Sequence, residues 1–255
     1  MSKCILVRAD DLGWTEAINY GIAKSGKDGI IRSVGVMTNM PDAKHGLDLL
    51  AGVPVCYGQH TNICVGRPLT DPALIPSLCG ENGEFKPSRA YREAYQRGEE
   101  FVVLEEAVLE IEAQYQRFVE LLGEKPHYFE AHAVMSDNLS KGLELVAERH
   151  GLNYLPAGFD GKPLCFRASR LYPVLESMAP GYDPFESLKK AALQDYGPDG
   201  CAMFVCHPGY LDDTILRCSS LTVPRTQEVA MSIDPATKAW LAENDVRVIT
   251  YDDLA

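Results

Sequence analysis

The chain has 255 residues, 46% of them hydrophobic and 24% charged, enough apolar material for one large α/β domain. Its 24 Lys and Arg against 36 Asp and Glu give a formal charge of −12, which sets nucleic acid aside as a partner. It contains no run of roughly 18 apolar residues, so neither a transmembrane helix nor a membrane partner is expected.

The first residues, Met1-Ser2-Lys3, run directly into strand-like sequence without the pattern of a signal peptide. Eight cysteines, at 4, 56, 64, 79, 165, 201, 206 and 218, form no Cys-x-x-Cys pair, and several sit inside apolar runs. They read as reduced, buried small residues of a cytoplasmic protein.

Along the chain, β-type runs alternate with helical ones. Expected strands are Cys4–Arg8, Ser33–Met37, Val55–His60, Tyr128–His132, Leu152–Leu155, Cys201–Cys206 and Val246–Thr250. Expected helices are Glu16–Lys27, Ala43–Ala51, Phe101–Leu122, Lys141–Arg149, Pro184–Asp195, Arg225–Met231 and Ala236–Glu243. The clearest is Phe101–Leu122, where Phe101, Leu104, Val108, Ile111, Tyr115, Phe118 and Leu122 form one apolar stripe. Such alternation predicts a parallel sheet, as an irregular (β/α) barrel of about seven to eight units, with an open doubly wound sheet as the alternative. Two stretches, Ile63–Gly98 and Ala157–Gly181, lack periodicity and read as functional loops. No repeat or boundary divides the chain, so a single domain over 1–255 is expected.

The reactive residues gather at one kind of place. Asp10 and Asp11 follow the first strand; His60 in VCYGQHTN, His132 in HYFEAH and His207 in FVCHPGY stand at or just past the ends of three others. In α/β barrels those strand ends form the active face. Each has a bland reading: an aspartate can cap a turn, and a strand-end histidine can be a structural hydrogen-bonding group. The other histidines read as structural: His45 in a helix, His127 at a strand entrance, and His150 at a helix C-terminus before Gly151.

Two like charges side by side after a buried strand need a compensating positive charge. A divalent ion bound by two histidines and one carboxylate, with a position open for water, supplies it. Such an ion brings the pKa of bound water towards about 7. The second carboxylate can then act as general base and His207 as general acid, the parts needed to hydrolyse an amide or ester. The residues alone leave open which aspartate does which. Non-haem iron oxygenases share the two-His, one-carboxylate set, but would leave the other aspartate and His207 without a task.

The motifs RADDLGWTEAINYGI, SVGVMTNMPDA, YGQHTNICVGRPL, CHPGYLDD, RTQEV and VRVITYDDL, in that order from Val7 to Leu254, resemble the YdjC/ChbG-like carbohydrate deacetylases. The resemblance implies a barrel related to polysaccharide deacetylases, often homodimeric, acting on N-acetylated sugars such as chitin-derived oligosaccharides or their phosphates. It implies that Asp11, His60 and His132 bind one divalent ion, zinc or magnesium. In the same way it makes Asp10 the base and His207 the acid. The family's Asp-x-His-x-His is here Glu130-Ala131-His132-Ala133-Val134, so Glu130 is expected to orient a ligating imidazole while Val134 replaces the second histidine. A carbohydrate-binding relative that has lost activity through these two changes is the non-enzymatic alternative. Four further residues are candidates for substrate binding. Trp14 would be a stacking platform or a core residue of the first helix, Asn62 a sugar contact or a turn residue, and Arg67 an anion contact or a solvated loop residue. Arg225 would be a site residue, or a surface partner of Glu228.

Overall fold

In the computed structural model, which describes residues 3–156 and 162–255, strands and helices alternate largely where the periodicity puts them. The first part of the chain forms β1 (Lys3–Leu12), α1 (Glu16–Lys27), β2 (Ser33–Val36), α2 (Ala43–Leu49) and β3 (Cys56–Thr61). There follow α3 (Ser88–Gln96), α4 (Leu104–Leu122), β4 (Tyr128–Ala131) and α5 (Asp137–His150). The remainder forms β5 (Leu164–Phe166), β6 (Ser169–Val174), α6 (Pro184–Leu193), β7 (Gly200–Cys206) and α7 (Asp213–Cys218), then α8 (Val223–Ile233), α9 (Pro235–Glu243) and β8 (Val246–Ile249).

The hydrogen-bonded strand order is β4-β3-β2-β1-β7-β6-β5, with β8 also paired to β1. This is a mixed α/β fold whose eight described strands fit the seven or eight units expected. β1 is parallel to both β7 (Ile5↔Ala202 through Ala9↔Cys206) and β8 (Lys3↔Val246 through Leu6↔Ile249). Its residues from Ile5 onward are all buried, as a parallel strand covered on both faces requires.

Three segments differ from the expectation. Leu152–Leu155 forms no strand, only an isolated bridge between Tyr154 and Phe129. The stretch from Ile63 to Gly98 contains α3, which buries only Tyr91 and Ala94 and is otherwise polar enough to read as loop. Within Ala157–Gly181, residues 157–161 lie outside the described residues, while β5 and β6 form an antiparallel hairpin, Leu164↔Leu171 through Phe166↔Ser169.

The contacts divide the chain into two compact units. The first comprises Met1–Gly35, Pro41–Tyr57 and Gly161–Ala255; the second comprises Val36–Met40 and Gly58–Asp160. In the first, α1 starts at the Thr15 cap, whose hydroxyl accepts from the Ile18 N–H at 3.3 Å. Its Gly21 meets the loop after β7: a Cβ there would lie 2.4 Å from the Gly209 Cα, so only glycine allows the approach. In the second, α4 and α5 pack around a core that includes Ile63, Tyr91, Ile111, Phe129 and Leu143. Val134, where the family has a histidine, belongs to this core and is 3% exposed. Both helices end on left-handed glycines, Gly123 and Gly151.

Candidate metal-binding and acid–base residues

In the first unit, Asp10 and Asp11 are both buried at the end of β1. Arg8, two residues back on the strand and hence on the same face, places Nη2 2.7 Å from Asp10 Oδ2. Its Nη1 donates to the Tyr251 hydroxyl at 3.2 Å. Asp10 Oδ1 has no hydrogen-bond partner among the described residues. Asp11 has a left-handed backbone, φ 77°, a conformation that Asp tolerates better than most residues. Its Oδ2 lies 2.8 Å from Nη2 of Arg225. Each carboxylate is therefore matched by its own buried arginine, a compensation the sequence reading assigned to a metal alone.

Arg225 is 2% exposed and no surface partner of Glu228. Its Nε donates to the Leu221 carbonyl at 2.9 Å, and its guanidinium sits 5.2 Å from the centroid of the Trp14 ring. Trp14 is itself 6% exposed, so it packs under Arg225 rather than presenting a face to solvent. His207 stands one residue beyond β7, and its N–H donates to Oε2 of the buried Glu228 at 2.6 Å.

In the second unit, β3 and β4 pair in parallel, with His60 beside Glu130 in register. Glu130 accepts a hydrogen bond from Nδ1 of His60. His60 Nε2 faces Nδ1 of His132 at 2.9 Å, with the two rings nearly perpendicular. All three residues are buried. The His132 N–H extends the ladder by one bond, donating to the Thr61 carbonyl at 2.8 Å, and Ala133 then turns the chain with φ 54°. Gly58 on β3 is required here, because a Cβ would meet the Tyr128 ring at 2.3 Å.

Asn62 closes its own loop. Its Oδ1 accepts from the N–H groups of Cys64 and Val65, both at 3.0 Å, and its Nδ2 donates to the Val65 carbonyl and to Asn39. That is a turn role, with both amide hydrogens already used. Arg67 is exposed and reaches the Asn82 carbonyl at 3.3 Å. Of the other histidines, His45 meets Asn19, His127 lies 3.8 Å from Glu124, and His150 binds Glu112 and stacks on Tyr115.

Two buried carboxylates escaped the sequence reading. Glu110 on α4 accepts from the Leu69 and Thr70 N–H groups and from Gln114, and Gln114 in turn exchanges hydrogen bonds with the Asn62 backbone. Burial pushes Glu110 above the usual carboxylate range despite these donors. Burial raises Glu228 likewise, against the donors Ser177, His207 and Tyr182 and the charge of Arg225. The readable signals were the spacings Glu-x-x-x-Gln and Arg-x-x-Glu. They suggest surface pairs until the covering loops are known.

All eight cysteines are free. No helix among the described residues is long and apolar enough to cross a membrane.

A family model described as YdjC-like protein matches residues 4–243. The chain is similar to carbohydrate deacetylase 2 of Listeria innocua, 31% identical over 98% of each sequence. It is 33% identical to a carbohydrate deacetylase of Geobacillus stearothermophilus, again over 98% of each. Among solved structures it matches a putative cellobiose-phosphate cleavage protein from Enterococcus faecalis, with TM-score 0.82 and 21% identity over 100% of both chains. It also matches a family 4 acetyl xylan esterase from Clostridium thermocellum solved with a cobalt ion, with TM-score 0.53 and 10% identity over 98% of this chain and 89% of that one. These structural likenesses show a shared polysaccharide-deacetylase type of fold.

Proposed function

The chain belongs to the YdjC-like family, and from that premise we propose that it is a metal-dependent hydrolase removing acetyl groups from N-acetylated sugars or short chitin-type oligosaccharides. The curated relatives named carbohydrate deacetylases support the reaction. The observation that carries the metal is the histidine pair. With Glu130 accepting the Nδ1 hydrogen of His60, Nε2 keeps a lone pair, and it faces the Nδ1 of a second imidazole at 2.9 Å. Two imidazole nitrogens turned on one point, one of them backed by a carboxylate, form a donor set suited to a divalent cation.

Asp11, His60 and His132 would hold the ion. Two imidazoles with one carboxylate suit zinc better than magnesium, which prefers oxygen ligands. When bound, the ion supplies a water acidic enough to lose a proton near neutral pH. Asp10 would take a proton from the attacking water at Oδ1, while Arg8 holds Oδ2 in place. The oxygen of the attacking water would add to the acetyl carbonyl. As the C–N bond breaks, His207 protonates the departing nitrogen, so the products are acetate and an amino sugar. Proton donation of this kind is worth about 10²–10⁴-fold.

Acetate release tests the reading, measured on N-acetylglucosamine, diacetylchitobiose and their phosphates with zinc-loaded and metal-stripped protein. Release that requires the metal supports it, and the phosphorylated arms decide whether the substrate carries phosphate. Full turnover by metal-free protein contradicts the mechanism; binding of these sugars without any acetate release makes the chain a binding relative.

A further inference from the structure

His207 is the one proposed proton carrier whose backbone is gripped by a buried carboxylate, and the grip has an unusual composition. Glu228 is fully buried on α8 and accepts three hydrogen bonds. Oε1 takes the Ser177 hydroxyl at 2.6 Å and the Tyr182 hydroxyl at 2.9 Å. Oε2 takes the His207 N–H at 2.6 Å. Burial, then the Glu228 charge, pushes the Tyr182 phenol well above its usual value, so Tyr182 keeps its hydrogen and donates.

A carboxylate is the side chain that fits such a site. Its two oxygens accept on both sides, whereas the amide of a glutamine would turn an NH₂ group towards one of the donors. The hydroxyls of Ser177 and Tyr182 can rotate to become acceptors. The backbone N–H of His207 cannot, so Oε2 must accept.

The clamp sits where the sheet stops helping. β7 ends at Cys206, and His207 is the first residue whose N–H no strand ladder engages. Pro208 has no N–H to offer. Gly209 donates to the Arg225 carbonyl at 3.3 Å, and Arg225 Nη1 reaches back to the His207 carbonyl at 3.4 Å. Arg225 and Glu228, one turn apart on α8, thus hold the His207 peptide from its carbonyl and its N–H. Through Oε1 the same carboxylate ties down the segment between β6 and α6 that carries Ser177 and Tyr182.

We infer that Glu228 is a positioning residue for His207, fixing the direction of its imidazole by clamping the backbone and the Ser177–Tyr182 segment onto one buried carboxylate. The inference rests on the proposed role of His207 as proton donor. An amine must be protonated as it leaves, whereas a phenolate need not be, so misdirecting the imidazole harms amide cleavage selectively. A displacement of about 1 Å in such a group costs up to about 10²-fold.

The test compares zinc-loaded wild type, Glu228→Ala, His207→Ala and the double variant on an N-acetyl sugar and on an aryl acetate, with metal content and melting temperature recorded. Glu228→Ala, which removes both oxygens, should lower kcat on the amide by about 10–100-fold with KM little changed, lose much less on the aryl ester, and keep its metal. Added to His207→Ala, it should cost nothing further on the amide, because the group it positions is already gone. Equal losses on both substrates, or losses that multiply in the double variant, overturn the inference. A crystal structure of Glu228→Ala reads the positioning without any activity: a displaced His207 peptide and ring supports it, and an unmoved one overturns it. If the wild type releases no acetate, the deacetylase reading fails while this structural arm still decides the clamp.

Discussion

Asp11 and Arg225 form an ion pair at 2.8 Å with both side chains almost wholly buried. Removing one member of such a pair leaves a buried charge without compensation, at a cost of about 3–5 kcal/mol. Arg225→Ala should lose stability of that order in metal-free protein. A divalent ion on Asp11 replaces part of the missing positive charge, so zinc should raise the melting temperature of the variant by more than that of the wild type. Denaturation with and without zinc checks both. A variant as stable as the wild type would make the pair incidental to Asp11.

The hydrogen bond between Glu130 and His60 Nδ1 assigns Glu130 to the neighbouring strand's histidine rather than to His132, two residues along its own. Loss of a carboxylate that orients a ligating imidazole typically weakens metal binding about 10–100-fold. Glu130→Ala should do so in a chelator competition, while Glu130→Asp, the family's more usual residue, should fall between. Equal zinc affinity in all three proteins would show that His60 needs no such partner.

Glu110 makes a prediction about pH. Burial raises its pKa above the usual value of about 4.5, so from there up to the raised value the folded chain holds more of that proton than the unfolded chain does. Its contribution to stability is therefore fully present below pH about 4.5 and is lost as pH rises through the folded value. Glu110→Gln cannot titrate. The lost acceptor for Leu69 or Thr70 adds a constant offset, and the stability difference between wild type and variant should move in the variant's favour as pH rises. Urea unfolding from pH 4 to 8 measures it. A difference independent of pH would contradict the assignment.

How much of this was legible in the sequence depends on which covering surfaces a pattern can reveal. The β1 run and the α4 stripe were readable because burial on a sheet or a helix face leaves an apolar period; α1 appears with the bounds expected from its sequence, Glu16–Lys27. The strand-end histidines were legible from position alone. Glu110 and Gln114 were not, and neither was the burial of Arg225 and Glu228. A polar helix residue looks solvated until a loop without ladder partners covers it, and the loops at Asn62–Thr70 and His207–Gly209 bring backbone donors that need buried acceptors. Likewise Trp14 and Asn62 stand in turns that suggest contact with a ligand, while their partners, Arg225 and the backbone of Cys64 and Val65, lie elsewhere in the chain or in the loop itself.

The central claim divides the labour between two adjacent aspartates, one holding a metal and one taking a proton, and metal content measured beside kcat for Asp10→Asn and Asp11→Asn tests it most directly. Each change is nearly isosteric and removes one negative charge. Asp11→Asn should bind zinc weakly or not at all, since an amide is a poor donor to a divalent ion. Asp10→Asn should keep its zinc, with kcat lower by about 10²–10⁴-fold and KM little changed, because its amide cannot accept the proton of the attacking water. If Asp10→Asn loses the ion while Asp11→Asn retains it, the two roles are reversed. If both keep the ion and normal activity, the pair serves the turn after β1 and the catalytic account fails.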